Sequence, residues 1–88
     1  MVFSKSYCPY CAKAKRVFSN YQLKSYKVVE LDERDDGDAI QDYLGSITGA
    51  RSVPRVFIGG RCIGGGDDTA RAESSGELRK MLEAAGAI

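Results

Sequence analysis

Short apolar runs and amphipathic stretches alternate along the chain, and their periods set its elements. Met1-Val2-Phe3-Ser4 is an apolar run that ends in polar residues, the pattern of a buried strand. Pro9 suits the first turn of a helix, where its missing N–H costs nothing. The spacing predicts that helix over Pro9–Tyr21, with Ala14, Val17, Phe18 and Tyr21 on one face and Lys13, Lys15 and Arg16 largely outside. Tyr26–Leu31 reads as a second strand, and two strands joined through a helix make a βαβ unit with parallel strands and a right-handed crossover. Ile40, Tyr43, Leu44 and Ile47 recur at i, i+3, i+4, i+7, which predicts a helix that starts among the acids Asp35 to Asp38 and ends near Gly45 or Gly49.

Arg55–Ile58 is a strand, Gly59-Gly60 a two-residue hairpin turn, and Arg61–Ile63 its antiparallel partner. Pro54 can only precede or open that strand. Gly64-Gly65-Gly66 breaks the pairing, after which Asp67 or Asp68 caps a short helix running through Glu73. Ser74 and Glu77 have capping-box spacing for a last helix, which buries Leu78, Met81, Leu82 and Ala85 and ends at Gly86. The order β-α-β-α-β-β-α specifies an α/β fold: a four-stranded mixed sheet flanked by helices, the minimal thioredoxin-like arrangement.

Eighty-eight residues suit one domain spanning 1–88, because a chain this short builds only one core. No apolar stretch approaches the roughly 18 residues needed to cross a bilayer, so no membrane association is expected. Residues 1–6 leave no room for a cleavable leader ahead of the first cysteine. A cytoplasmic location is the expectation, or an organellar one if a targeting segment has been removed upstream. Three cysteines, two of them three positions apart, fit a reducing compartment better than a framework of structural disulfides.

The net charge of +1 conceals an uneven distribution. Residues 1–29 carry Lys5, Lys13, Lys15, Arg16, Lys24 and Lys27 and no acid. From Glu30 to Asp42 seven acids face only Arg34. One reading makes both runs solvated surface. The other makes the basic segment, which surrounds the cysteine pair, a field that favours a thiolate and draws in an anionic substrate. Nothing in the charge suggests nucleic acid as a partner.

Cys8-Pro9-Tyr10-Cys11 carries the chemistry, as a C-x-x-C at the junction of a first strand and a helix within a βαβ unit. At that junction free backbone N–H groups and the helix dipole point at the Cys8 sulfur and favour its anion, the species that attacks disulfides. Lys5, three residues upstream, adds a positive charge. Cys11 lies one turn into the helix, placed to attack a mixed disulfide on Cys8 and release the substrate. The pair could instead ligate zinc, but a closed tetrahedral site needs four donors, and the chain has no histidine and one further cysteine, Cys62. No metal is expected. Cys62 reads either as a small semi-buried hydrophobe or as a regulatory or dimer-forming thiol.

Three segments together resemble the dithiol glutaredoxins over essentially the whole chain: Lys5-Ser6-Tyr7-Cys8-Pro9-Tyr10-Cys11, Ser52-Val53-Pro54, and Ile63-Gly64-Gly65-Gly66-Asp67-Asp68. The resemblance implies a glutathione-dependent thiol-disulfide oxidoreductase acting on protein–glutathione mixed disulfides and protein disulfides, with Cys8 as nucleophile, Cys11 as resolving thiol and glutathione as co-substrate. It further implies that Val53-Pro54 is a cis-proline loop facing the cysteines, with the Val53 backbone pairing to glutathione like an added strand. Gly66, Asp67 and Asp68 are similar to the loop that takes the γ-glutamyl end of the ligand, where helix N–H groups hold the carboxylate and an aspartate the ammonium. Lys5 and Gln41 resemble the partners of the glycyl carboxylate, although Gln41 also reads as a plain solvated residue. Tyr10 would line the groove.

Two positions depart from the family pattern: Ser52 replaces the commoner threonine, and Gly66 stands where many relatives carry another cysteine. The implied partners are glutathione and glutathionylated or disulfide-bonded proteins, with the chain acting as a monomer. Two alternatives compete. One is a [2Fe–2S] carrier in which two chains and two glutathiones bridge a cluster through Cys8, against which Pro9 argues. The other is thioredoxin, against which the absence of tryptophan, the basic Lys5 and the glycine-aspartate loop argue.

Overall fold

The computed structural model describes residues 1–24 and 26–88. Strand β1 (Val2–Ser4) leads into helix α1 (Pro9–Phe18), strand β2 (Val28–Glu30), a single 3₁₀ turn (Leu31–Glu33) and helix α2 (Gly37–Thr48). The hairpin β3 (Arg55–Ile58) and β4 (Arg61–Gly64) follows, then helices α3 (Gly66–Ser75) and α4 (Glu77–Ala84). The sheet order is β2-β1-β3-β4, with β1 and β2 parallel and the other two pairs antiparallel. This is the mixed four-stranded sheet that the periodicities imply.

The core lies where α1, α3 and α4 cover one face of the sheet. Val2, Val56 and Ile58 from the strands meet Ala14 and Phe18 of α1 and Leu78 and Leu82 of α4. Because side chains alternate across a strand, Val2 and Ser4 leave the same face, so Ser4 is fully buried beneath α1 next to this cluster.

Several boundaries differ from expectation. Helix α1 stops at Phe18 and not at Tyr21, because the Ser19 hydroxyl takes the Arg16 carbonyl at 2.6 Å and the next residues close i→i+3 turns. Tyr21 still packs on the core and donates its hydroxyl to Glu73 at 2.6 Å. Strand β2 is shorter than Tyr26–Leu31, since Leu31 already begins the 3₁₀ turn.

In α2 the inward face is Gly37, Gln41 and Leu44, while Tyr43 and Ile47, expected inside, are 63% and 53% exposed. The helix packs chiefly on the 3₁₀ turn, and Gly37 permits it: a Cβ there would lie 2.0 Å from the Leu31 carbonyl oxygen. Gly45 lies within the helix, and Gly49, at φ 78°, ends it.

Strand β4 includes Gly64, which pairs with Val56 across a bulge. Cys62 is exposed and not semi-buried, because Ile63 is the residue of that strand that turns to the core. Gly65, and neither aspartate, is the N-cap of α3, and Asp68 returns to accept the Gly65 N–H at 3.0 Å. The expected box between Ser74 and Glu77 does not form. Helix α3 runs on to Ser75, Gly76 at φ 83° turns the chain, and the Ser75 hydroxyl accepts the Glu77 N–H at 3.4 Å. In α4 Met81 is only partly covered and Ala85 is exposed. Ala87 and Ile88 fold back onto the core instead, fixed by the Ala87 N–H to the Leu82 carbonyl at 2.9 Å.

Candidate active site

Cys8 is the N-cap of α1. Its extended backbone turns the chain from β1 into the helix, and Pro9 takes the first helical position. The Cys8 sulfur accepts the Cys11 N–H at 3.3 Å, the place a serine or aspartate oxygen fills in ordinary caps. A partly exposed sulfur thus sits on the positive end of a helix. Upstream, the Cys8 N–H donates to the Lys5 carbonyl at 3.0 Å, closing the Lys5–Cys8 turn. That turn is tethered by Asp32, whose carboxylate accepts both the Ser6 N–H at 2.9 Å and the Ser6 hydroxyl. These two bonds hold the Asp32 carboxyl below its usual range.

Cys11 is 0% exposed. Burial, reinforced by its hydrogen bond to Cys8, pushes its thiol up to about 11, while the Lys5 backbone and the Ser4 hydroxyl pull weakly the other way. One cysteine is therefore reachable and the other is a protonated thiol behind it. The two-residue spacing produces this difference, since position i+3 of α1 faces the sheet and the cap position does not.

The Val53–Pro54 bond is cis, and Pro54 is buried at the start of β3. This loop faces the cysteines: the Cys8 thiol reaches the Val53 carbonyl at 3.9 Å. The glycine-aspartate loop arrives from the other side. Gly66 is buried against the first turn of α1, where a Cβ would stand 2.9 Å from the Tyr10 carbonyl oxygen. The absence of a side chain there lets the N-terminus of α3 approach the cysteine helix. Asp67, at the rim, is bridged to Lys13 at 3.3 Å, and the Asp68 carboxylate is turned back onto Gly65. Tyr10 is 58% exposed beside them.

The structure thus gathers Cys8, Cys11, Val53, Pro54, Tyr10, Gly66, Asp67 and Asp68 around one helix terminus, with Lys5 at its edge. Lys5 contributes its charge toward Asp32. Gln41 is placed differently from a solvated residue. It is 7% exposed, and its Nε2 donates to the Arg51 carbonyl at 2.8 Å, so it ties α2 to the loop that leads to Val53. Arg51 is held from the same helix by Asp42 at 2.7 Å.

Ser4, Glu30 and Asp32 make contacts that the sequence alone does not single out. Along the chain the two acids register only as members of a charge run. Knowledge of the β1–β2 register, which aligns Ser4 with Glu30, would pick out two of the three. Among the described residues no cluster of three or more histidine, cysteine or acidic side chains is arranged to hold a metal ion.

The family model described as Glutaredoxin matches residues 1–63. Glutaredoxin-C4 of Arabidopsis thaliana is 58% identical over 86 residues, covering 98% of this chain and 63% of that protein. Glutaredoxin-C8 of Oryza sativa subsp. japonica is 54% identical over 83 residues, 93% of this chain and 61% of that protein. The chain therefore spans about three-fifths of the length of these curated relatives. Among solved structures, oxidized glutaredoxin 2 from Chlamydomonas reinhardtii superposes with a TM-score of 0.93 at 59% identity, covering 99% of this chain and 81% of that one. The buckwheat glutaredoxin–glutathione complex does so with a TM-score of 0.92 at 48% identity, covering 99% and 78%. With the thiol pair, the cis-proline loop and the glycine-aspartate loop converging as in a thioredoxin-like fold, and with these matches, the chain belongs to the glutaredoxin family.

Proposed function

We propose that this chain catalyses glutathione-dependent thiol–disulfide exchange, removing glutathione from protein thiols and reducing protein disulfides. The observation that carries this reading is the pairing of a partly exposed Cys8 sulfur on a helix N-terminus with a fully buried, protonated Cys11 behind it. The Cys8 thiolate attacks the glutathionyl sulfur of a mixed disulfide. A sulfur–sulfur bond forms between Cys8 and glutathione, and the protein sulfur leaves with the electron pair and takes a proton. A second glutathione then attacks that sulfur, freeing Cys8 and producing glutathione disulfide. For a protein disulfide, Cys8 forms the mixed disulfide with the protein, and Cys11 resolves it.

Glutathione is the co-substrate in this reading, which draws support from the buckwheat glutaredoxin, a relative whose structure is a complex with glutathione. The backbone of half-buried Val53, facing the Cys8 thiol, offers strand-like pairing to its cysteinyl residue. The N-terminus of α3 at Gly65 and Gly66, with Asp67 at the rim, offers opposite charges to its γ-glutamyl end. Lys5 and Tyr10 border the glycyl end and the groove, and Gln41 acts by holding the Arg51–Val53 loop in place. The reading includes a monomer acting in the cytoplasm on glutathionylated or disulfide-bonded proteins.

The test is deglutathionylation of a glutathionylated model protein with glutathione in excess. Cys11→Ser retains turnover, because the monothiol route uses Cys8 alone, whereas Cys8→Ser loses it. Substantial turnover by Cys8→Ser sinks the assignment. Anaerobic treatment with iron and sulfide separates exchange from cluster carriage, the exchange enzyme remaining colourless.

A further inference from the structure

The cis-proline loop and the glycine-aspartate loop meet over one side chain that the exchange step described above does not use. Arg55 opens β3 directly after Pro54 and is half-buried. Its Nε donates to the Pro54 carbonyl at 3.1 Å, and its Nη2 stands 3.5 Å from the Ser52 hydroxyl. Gly65, the N-cap of α3, approaches from the other side: a Cβ there would lie 3.0 Å from Arg55 Nη2 and 3.4 Å from the Pro54 carbonyl oxygen. The guanidinium therefore fills the gap between the two loops and rests on both.

The strand register explains why a side chain is needed there. The β3–β4 ladder ends at the Val56–Gly64 pair, beside a bulge. Past that pair the chain before β3 is the Ser52–Pro54 loop and the chain after β4 turns into α3, so no strand pairing fixes their distance. A guanidinium suits the position, because its donors form a rigid planar fork on a stem rooted in β3. Among the described residues no carboxylate lies within ion-pair distance of Arg55, in contrast to Arg51, which Asp42 engages. Its charge goes instead into bonds to the neutral oxygens of the cis-proline loop, a charge-assisted kind roughly twice as strong as a neutral pair.

We propose that Arg55 is a positioning residue that sets the distance between the Val53 backbone and the N-terminus of α3, and through that distance the preference for a γ-glutamyl-cysteinyl ligand. The inference rests on the exchange reading above, which seats the cysteinyl residue at Val53 and the γ-glutamyl end at Gly65 and Gly66. Those two contacts lie on the two segments that Arg55 holds together. A ligand that spans both responds to a change in their spacing, and a ligand that reaches only Val53 does not. Arg55 acts through the loops, touches no substrate and takes no part in the sulfur exchange at Cys8.

The experiment compares two substrates: a model peptide disulfide-bonded to glutathione, and the same peptide disulfide-bonded to cysteinylglycine, which lacks the γ-glutamyl residue. Both are reduced with the same excess of glutathione, and release of the peptide thiol gives kcat/KM for each. The parent is expected to prefer the glutathione adduct, and in Arg55→Ala that preference falls at least about fivefold. Misplacing a bound group by about 1 Å costs up to about 10²-fold, and loops that relax recover part of it. Arg55→Lys falls likewise, because it keeps the charge and the stem but has no fork to bond Pro54 and Ser52 together, and it decides alone if Arg55→Ala does not fold. A smaller fall in either folded variant overturns the inference, as does an equal loss on both substrates, which marks a purely structural role. A parent with no preference between the adducts also overturns it and leaves the exchange reading standing. A parent that reduces neither adduct refutes the exchange reading itself.

Discussion

Cys11 offers the most direct test of how burial divides labour between the two thiols. Its proton is held chiefly by desolvation and secondarily by Cys8, with the thiol raised to about 11. At pH 7 that leaves about one molecule in 10⁴ as thiolate, against about 3% for an unperturbed thiol near 8.5, a deficit of about 300-fold. A more basic thiolate is intrinsically more nucleophilic, and a Brønsted slope of about 0.4–0.5 over roughly 2.5 units returns about tenfold. The net deficit is then about 30-fold before any steric shielding. Replacing Cys8 by serine isolates the leading cause, since it removes the sulfur partner and leaves the burial. Iodoacetamide at pH 7, with N-acetylcysteine in the same tube and peptide mass spectrometry of timed samples, gives both rates. With the Cys8 contribution gone the deficit shrinks, so Cys11 in Cys8→Ser is expected to react about tenfold more slowly than the reference thiol, and to match it in 8 M urea. A rate within about threefold of the reference in the folded variant would mean that Cys8, and not desolvation, holds the proton, and the reasoning fails.

The same group makes the reduced protein lose stability in alkali. The fold favours neutral Cys11, so its contribution is complete below the usual thiol value of 9.0 and is lost as pH rises through about 11, amounting to about 3 kcal/mol by linkage. Urea denaturation between pH 8 and 11 should show a steeper decline for the reduced protein than for Cys11→Ala; equal slopes contradict it. Tyr21 and Tyr26 are also raised and titrate in both proteins, so the difference between the curves belongs to Cys11. Gly37→Ala tests the seat of α2, because its Cβ would enter the Leu31 carbonyl and force backbone to move. Overpacking of this kind costs about 1–3 kcal/mol, a fall in Tm of roughly 5–20 °C for a chain this size, and an unchanged or raised Tm counts against the packing described.

The elements whose signal is local were legible in the chain: the βαβ unit from its alternating periods, the hairpin from Gly59-Gly60, and the redox pair from a C-x-x-C at a strand-to-helix junction. Features that depend on which surface an element meets were not. Ile40, Tyr43, Leu44 and Ile47 make a sound helical stripe, yet α2 turns Gly37, Gln41 and Leu44 inward because it packs on a 3₁₀ turn that leaves no space for a Cβ. Likewise, Asp67 and Asp68 are both good caps by type, but Gly65 is the residue that adopts the cap conformation, and Asp68 serves it from N3.

The acidic run from Glu30 to Asp42 shows most clearly why composition alone misleads. As a sum it is a solvated negative surface, and most of its members are that. Two of them are not interchangeable with the rest, and what distinguishes them is register. Pairing β2 against β1 in parallel sets Glu30 beside Ser4, and the turn that follows returns Asp32 to Ser6, two residues before the nucleophile. Moving β2 by one residue would turn Glu30 to the opposite face and leave Ser4, fully buried, without its acceptor. A buried hydroxyl thus favours the same register that tethers the Cys8 turn. The carboxylates that support the redox pair therefore follow from the pairing of two three-residue strands, and in the positive first third of the chain Lys15 meets Glu30 through the sheet, as Lys13 meets Asp67 through α3, and neither through sequence proximity.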